Sequence, residues 1–198
     1  MTEQAVFVIG GKAFGSSIGD VSRYDLMTGE WQRIITPPPP LPPGLTNTWS
    51  VDEQPLGTIL AATYDVATRR IIVADEVTIG KKTHRRFIEV DVDRRFQRIA
   101  FAAPVTGAYS RIALTVMPDG TFVMFGQRPG NAWDGVRFAL PFLGIVDWRG
   151  WARGTGEIME NPFRVADHVV VPLRLAGLPQ AVTLTPADFT GGGPCVGF

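Results

Sequence analysis

The heptapeptide Ala5-Val6-Phe7-Val8-Ile9-Gly10-Gly11 is an apolar run that ends in two glycines. Tyr24-Asp25 follows it, and Trp31 comes next along the chain. Glycines at a strand end permit positive φ and the close approach of a neighbouring backbone. Aromatic side chains bury large areas when two layers pack together. The stretch therefore predicts a β-strand that ends in a glycine turn, followed by two strands that carry aromatic residues.

The same pattern returns twice, with Val6 equivalent to Ile71 and to Phe122. The two intervals are 65 and 51 residues, which indicates a repeating unit of about 50 residues. The chain has 22 Gly and 16 Pro spread between short apolar runs, a texture typical of many short strands. The later strand-and-aromatic segments are Val90-Asp91-Val92 before Phe96 and Val146-Asp147-Trp148 before Trp151.

The first unit resembles the kelch repeat. In that repeat a double glycine ends the second strand of a blade, and a Tyr and a Trp lie on the next two strands. Gly10-Gly11, Tyr24 and Trp31 occupy those places, whereas the later units keep the motif less well. The resemblance implies an all-β fold of kelch-like β-propeller blades, with four strands in each blade. The alternative at this length and strand density is a closed β-barrel of calycin type with an internal apolar cavity.

We expect one all-β domain over residues 1–198, in units of roughly 1–45, 46–104, 105–155 and 156–198. About thirteen strands are recognisable, against sixteen in four full blades, so the ring is expected to be incomplete and to close by homo-oligomerisation. A strand over 163–172 is an alternative way to complete the first blade. The prolines of segment 37–43 predict a polyproline II link between units, in preference to a ligand for SH3 or WW domains.

Charge and composition argue against several classes of partner. The 19 Lys and Arg residues balance the 19 Asp and Glu residues, which argues against nucleic-acid binding. No apolar run of about 18 residues predicts a membrane span, and the N-terminus lacks the pattern of a secretory signal. Cys195 is the single cysteine of the sequence, so no internal disulfide can form. We therefore expect a cytoplasmic protein without membrane association.

Candidate catalytic groups are few. Glu89, Asp91 and Asp93 alternate along one predicted strand, so their carboxylates share a face and could hold Ca²⁺ or support glycoside chemistry. The arginines that surround them favour a charge-balanced strand instead. His84 and His168 are the two histidines, and neither a nucleophile elbow nor a zinc motif accompanies them. We expect no cofactor and no metal.

The best functional candidates lie in the loops that follow the double-glycine position. The kelch resemblance implies that loops 12–19, 77–83 and 127–133 share one face that binds partners. Arg128, Asn131 and Trp133 combine a charge, an amide and an aromatic ring, a composition typical of binding hot spots, and Lys12 belongs to the same face. The sequence thus predicts a non-enzymatic module for a protein or carbohydrate-like ligand. The alternative is an enzyme with a loop-framed small-molecule pocket, in which Glu89, Asp91 or His84 performs acid–base or cyclisation-type chemistry.

Overall fold

The computed structural model describes residues 4–13, 16–17, 19–35, 56–105, 109–140 and 146–191. Strands dominate these residues, and the strands form four sheets arranged as the blades of a propeller. The predicted all-β architecture of kelch-like blades is therefore confirmed. No sheet in these ranges closes on itself, so the barrel alternative is wrong for the described part of the chain.

The first blade and its inserted hairpin contain Ala5–Ile9 (β1), Lys12–Ala13 (β2), Ser16–Ser17 (β3), Val21–Asp25 (β4) and Trp31–Ile35 (β5). The blade is antiparallel, in the order β1-β4-β5, and β2 and β3 form the small hairpin after β1. Gly10 and Gly11 both have positive φ, 61° and 140°, so the turn after β1 requires the conformational freedom of glycine, as the sequence predicted.

The second and third blades are complete four-stranded meanders. Asp119-Gly120 forms the turn between the first two strands of the third blade, with φ of 78° at the glycine, as the hairpin signal predicted. The second blade contains Thr58–Asp65 (β6), Arg70–Ile79 (β7), Lys82–Asp91 (β8) and Phe96–Pro104 (β9). The third blade contains Arg111–Val116 (β10), Phe122–Gln127 (β11), Ala132–Ala139 (β12) and Asp147–Thr155 (β13).

The fourth blade has an interrupted inner strand. Its strands are Glu157–Ile158 (β14), Phe163–Val165 (β15), His168–Leu175 (β16) and Leu178–Leu184 (β17). β14 and β15 pair with the same edge of β16, and β17 pairs with the other edge. The expectation of one strand over 163–172 is wrong, because Ala166, at φ 50°, turns the chain so that β15 and β16 pair with each other.

Single turns of 3₁₀ helix occur at Pro129–Asn131 and Pro186–Asp188, and no helix in the described ranges is long and apolar enough to cross a membrane. The proline segment 37–43 and Cys195 lie outside the described residues.

Apolar clusters fasten each blade to the next one. One cluster lies between the first and second blades, with Val21 and Ile71 among its members. A second joins the second and third blades, where Phe87 stacks on Phe138 at 5.3 Å between ring centroids. A third joins the third and fourth blades around Phe125. Burying an aliphatic or aromatic side chain contributes about 1.5–3 kcal/mol, so these clusters supply most of the stabilisation that holds the blades in place.

The second blade also contains a fully buried ion pair. Arg86 on β8 donates to Asp75 on β7 through two nitrogens, at 2.9 Å and 2.5 Å. The same carboxylate accepts the backbone amide of Gly57 at 2.7 Å, which fixes the entry of the chain into β6. A Cβ on Gly57 would lie 2.1 Å from the carbonyl oxygen of Glu76, so this close approach requires glycine.

We predict that Arg86→Ala lowers the free energy of unfolding by roughly 3–5 kcal/mol, because it leaves the Asp75 carboxylate buried without its cation. Chemical denaturation at neutral pH measures the loss. The matched control is Arg94→Ala, which removes an exposed arginine 3.5 Å from Asp91 and is expected to cost less than about 1 kcal/mol. The double variant Asp75→Leu/Arg86→Met should recover only part of the loss, because it removes the unpaired charge but also the acceptor of the Gly57 amide. Equal effects of Arg86→Ala and Arg94→Ala would contradict the assignment.

Candidate binding face

The turns between the second and third strands of the middle blades define one end of the propeller, here called the upper face. In the second blade β7 and β8 pair as far as Ile79 and Lys82, so this hairpin runs past the end of β6, which begins opposite Glu76. In the third blade the equivalent turn runs from Gln127 to Ala132. Two of the loops predicted from the sequence, 77–83 and 127–133, therefore lie on the same end of neighbouring blades.

The turn after β11 is held by the amide of Gln127. Its Nε2 donates to the carbonyl of Ala132 at 2.8 Å and to that of Gly156 at 3.3 Å, and its Oε1 accepts the backbone amide of Ile158 at 2.7 Å. The carbonyl of Asn131 accepts the Gly156 amide at 2.6 Å. These bonds tie the turn to the start of the fourth blade, so it has a fixed shape.

A buried carboxylate organises the charges of the upper face. Asp134 lies on β12, and its side chain is almost completely buried. It accepts the hydroxyl of Tyr109 at 2.6 Å and forms ion pairs with Arg128 and, at 3.2 Å, with Arg153. The Arg153 guanidinium also lies 4.0 Å from the centre of the Trp151 ring. One buried negative charge thus positions two guanidinium groups at the surface.

Tyr109 forms the floor beneath Arg128. A Cβ at Gly126 would lie 2.3 Å from the ring, so the tyrosine packs flat on β11 where that strand has no side chain. The guanidinium of Arg128 lies 5.5 Å from the ring centroid. Burial raises the pKa of the Tyr109 phenol to about 12, and its hydrogen bond to Asp134 acts in the same direction. The phenol is therefore neutral at physiological pH and remains a donor to Asp134.

A groove of about 610 Å³ opens beside this cluster, between the second and third blades. Tyr109 and Arg111 line it on one side, and Glu76 and Arg85 line it on the other. Arg85 bonds Glu76 through two nitrogens, at 3.1 Å and 2.5 Å. Arg111 donates to the carbonyl of Ile158 at 2.7 Å. The groove is thus lined mainly by polar groups whose positions are fixed by hydrogen bonds.

The rim of the groove carries an excess of positive charge although the chain as a whole is neutral. Among the residues that line the groove, Arg85 and Arg111 are cationic and Glu76 is anionic. Arg128 lies over the ring of Tyr109, which also lines the groove, and adds a further cation beside it. Three cations against two carboxylates, Glu76 and the buried Asp134, give an excess of positive charge that attracts anionic groups.

The four residues predicted for ligand binding occupy different environments. Arg128, with a side chain 43% exposed, and Asn131 lie at the surface of the upper face. Trp133 is 2% exposed, and its indole packs on Gly154 and on Phe125, so it supports the turn from beneath. Lys12 lies in β2, and its side chain is outside the described part. The binding roles of these four residues stay predictions.

Sequence reasoning missed Tyr109 and Asp134, which hold Arg128 in place, and Arg153, which pairs with the same Asp134 carboxylate. Tyr109 lies in the link between two blades, 25 residues before Asp134, and no local pattern joins the two. The available signal was Asp134 itself, an acidic residue between Trp133 and Gly135 in a largely apolar strand. A charge at such a position needs a buried partner.

The candidate catalytic carboxylates are paired with arginines, and Asp91 and Asp93 line one pocket together with Arg70. Glu89 is held between Arg70 at 2.8 Å and Arg98 at 2.5 Å. Asp91 and Asp93 pair with other arginines at the opposite end of the blade from the upper face. Across the described ranges no group of three His, Cys, Asp or Glu side chains has metal-binding geometry. His84 lies on β8 with its Nδ1 buried, and His168 contacts Asp167 at 3.0 Å.

Comparison with known proteins agrees with this architecture. The family model of the Kelch motif matches residues 2–34, which contain the double glycine, Tyr24 and Trp31. The first blade therefore carries a kelch motif, and the described chain has the four-bladed arrangement of a β-propeller. No curated protein matches the chain at a significant level.

We predict that wild-type protein loses stability relative to Tyr109→Phe as the pH rises above 10. The folded-state pKa of Tyr109 lies above that of an unfolded tyrosine, so its contribution is present below pH 10 and is lost between pH 10 and 12. The stability difference between the two proteins should change by about 1 kcal/mol from pH 9 to pH 11. Denaturant unfolding at each pH measures it. A stability difference independent of pH would exclude a raised pKa of the Tyr109 phenol in the folded protein. Other groups that titrate in this range contribute equally to both proteins, so their effect cancels in the difference.

Proposed function

We propose that this protein is a non-enzymatic interaction module that binds an acidic segment of a partner protein on its upper face. A kelch motif on a propeller fold fits a protein-interaction module in general. The positive charge of the rim favours an acidic partner, since guanidinium groups bind carboxylates strongly and with defined geometry.

The observation that carries the proposal is the fixed, solvent-facing guanidinium of Arg128. Tyr109 lies beneath it, and Asp134 anchors it from the buried side. A long arginine side chain normally loses conformational freedom when it binds a ligand. Here the protein has already restricted that freedom during folding, so the cost of binding is reduced.

The neighbouring groove gives the module room for an extended segment. Arg111 at the groove and Arg153 beside the Asp134 cluster supply further cations near Arg128. Electrostatic attraction over this rim raises the association rate of an acidic partner, and the effect weakens as salt screens it. The arginine pairing of Glu89, Asp91 and Asp93 supports a binding role over the enzymatic alternative.

We predict that Arg128→Glu weakens binding of fluorescently labelled Asp- and Glu-rich peptides by about tenfold or more, which corresponds to at least about 1.4 kcal/mol. The substitution places a carboxylate beside Asp134 and reverses the charge offered to the ligand. Fluorescence anisotropy at two ionic strengths measures the affinity and its dependence on salt. Length-matched Lys-rich peptides and neutral oligosaccharides are the comparison ligands, with positive charge and with no charge respectively.

The matched control is Arg149→Glu. Arg149 is also exposed and pairs with Asp147 at 2.6 Å, but it lies at the opposite end of β13 from Arg153. This variant should retain the affinity of the wild type for acidic peptides. Equal losses in the two variants would mean that net charge alone drives binding. Preferential binding of the neutral oligosaccharides, unaffected by Arg128→Glu, would replace the proposed partner with a carbohydrate.

A further inference from the structure

Two guanidinium groups of the third blade share one buried carboxylate. Arg128 contacts Oδ2 of Asp134 through Nη2, and Nε of Arg153 lies 3.2 Å from Oδ1 of the same carboxylate. The side chains of Arg128 and Arg153 are 43% and 58% exposed, whereas that of Asp134 is 3% exposed. One carboxylate thus spans the distance between the two guanidinium groups from the buried side. A second anionic group of similar size can span it from the solvent side.

Both guanidinium groups keep hydrogen-bond donors for a ligand. Each guanidinium has five N–H groups in a planar fork. Arg128 uses Nη2 for Asp134 and for the Tyr109 hydroxyl at 3.3 Å, and Arg153 uses Nε for Asp134. Within the described part of the chain, Nε and Nη1 of Arg128 and both Nη atoms of Arg153 bond no acceptor. Each arginine therefore has an edge with a pair of donors left to offer.

An aromatic ring supports each of the two arginines. The guanidinium of Arg128 lies 5.5 Å from the centre of the Tyr109 ring, and that of Arg153 lies 4.0 Å from the centre of the Trp151 ring. The backbone of Trp151 is itself fixed, because its amide and carbonyl bond Thr190 at 3.2 Å and 3.0 Å. Both guanidinium groups are thus oriented before a ligand binds, which lowers the entropic cost of binding.

There is room for a ligand beside both arginines. The groove of about 610 Å³ includes the Tyr109 ring that lies under Arg128, and a cavity of about 410 Å³ is lined by Trp151 and Arg153. Asp188 is the acidic residue of that cavity lining. Its carboxylate accepts the amide and the hydroxyl of Thr185, at 2.7 Å and 2.8 Å.

We infer that the group bound by Arg128 and Arg153 is a phosphorylated serine or threonine of the partner segment. This inference rests on the proposed function and names the acidic group that the arginines bind. A phosphate monoester carries about 1.5 to 2 negative charges at neutral pH and has three acceptor oxygens, so it can accept a pair of hydrogen bonds from each guanidinium group. A carboxylate has two oxygens and one charge, and it matches a single guanidinium fork.

The charge of the site also favours phosphate. Besides the ion pair that lines the groove, the cations are Arg111, Arg128 and Arg153, and the carboxylates are those of Asp134 and Asp188. Coulomb attraction to this positive excess grows with the charge of the ligand, so a dianion is attracted about twice as strongly as a carboxylate. Each phosphodiester of a nucleic acid carries one charge, and the neutral chain as a whole is unsuited to a polyanion.

The test compares three fluorescently labelled acidic peptides that differ at one position, which holds phosphoserine, glutamate or serine. Fluorescence anisotropy with the full chain should give an affinity for the phosphoserine peptide about tenfold or more above that for the glutamate peptide. The ratio of these two affinities should also rise from about pH 5 to about pH 7.5, because the phosphate loses its second proton near pH 6 whereas glutamate is already ionised.

Arg153→Gln tests the second guanidinium group. It removes one charge and one donor fork and leaves Asp134 paired with Arg128, so the preference for phosphoserine over glutamate should fall to about threefold or less. The matched control is Arg149→Gln, on the same strand and also exposed, which should keep the full preference. Circular dichroism establishes that both variants are folded.

Equal affinities for the phosphoserine and glutamate peptides would overturn this inference and leave the proposed function intact. A preference that survives in Arg153→Gln would overturn it as well. Failure of all three peptides to bind would overturn the proposed function together with the inference. Inorganic phosphate and a single-stranded oligonucleotide are the competitors. Displacement by either one as strong as that by the phosphoserine peptide would assign the site to free phosphate or to nucleic acid instead.

Discussion

Burial of apolar sheet faces against neighbouring blades is the constraint on which this molecule depends. A β-sheet alternates its side chains between two sides, so a sheet with apolar residues on both sides needs two neighbours. β11 meets that condition fully: Phe122 and Met124 face the second blade, while Val123 and Phe125 face the fourth. Because both sides of this strand are covered, its consecutive residues Phe122-Val123-Met124-Phe125 are all apolar.

The same packing places the charges of the upper face. β11 and β12 pair in a register that sets Gly126 opposite Asp134, and the missing side chain at the glycine leaves room for Tyr109. The carboxylate is then enclosed by the tyrosine and two arginines, so its burial is compensated by a hydrogen bond and ion pairs. The binding candidate Arg128 is therefore positioned by the core of the blade.

The sequence predicted the features that local chemistry determines. The double glycine, the Asp119-Gly120 hairpin and the repeat of apolar runs identified the blades, because turn residues and strand alternation act over a few positions. It could not predict that Tyr109 meets Asp134, or that Arg86 meets Asp75, because those pairings depend on how strands align and how links cross between blades. Trp133 looked like a surface residue because its turn is rich in Gly and Pro, but its indole fills the space above Gly154.

The hydrogen bonds of Gln127 have a mechanical consequence. Its side chain joins the third-blade turn to Gly156 and Ile158, which begin the fourth blade, and the Asn131 carbonyl adds a further bond to Gly156. The turn cannot shift without either breaking these bonds or carrying the inner edge of the fourth blade with it. One amide side chain therefore couples the position of the third-blade turn to the inner edge of the fourth blade.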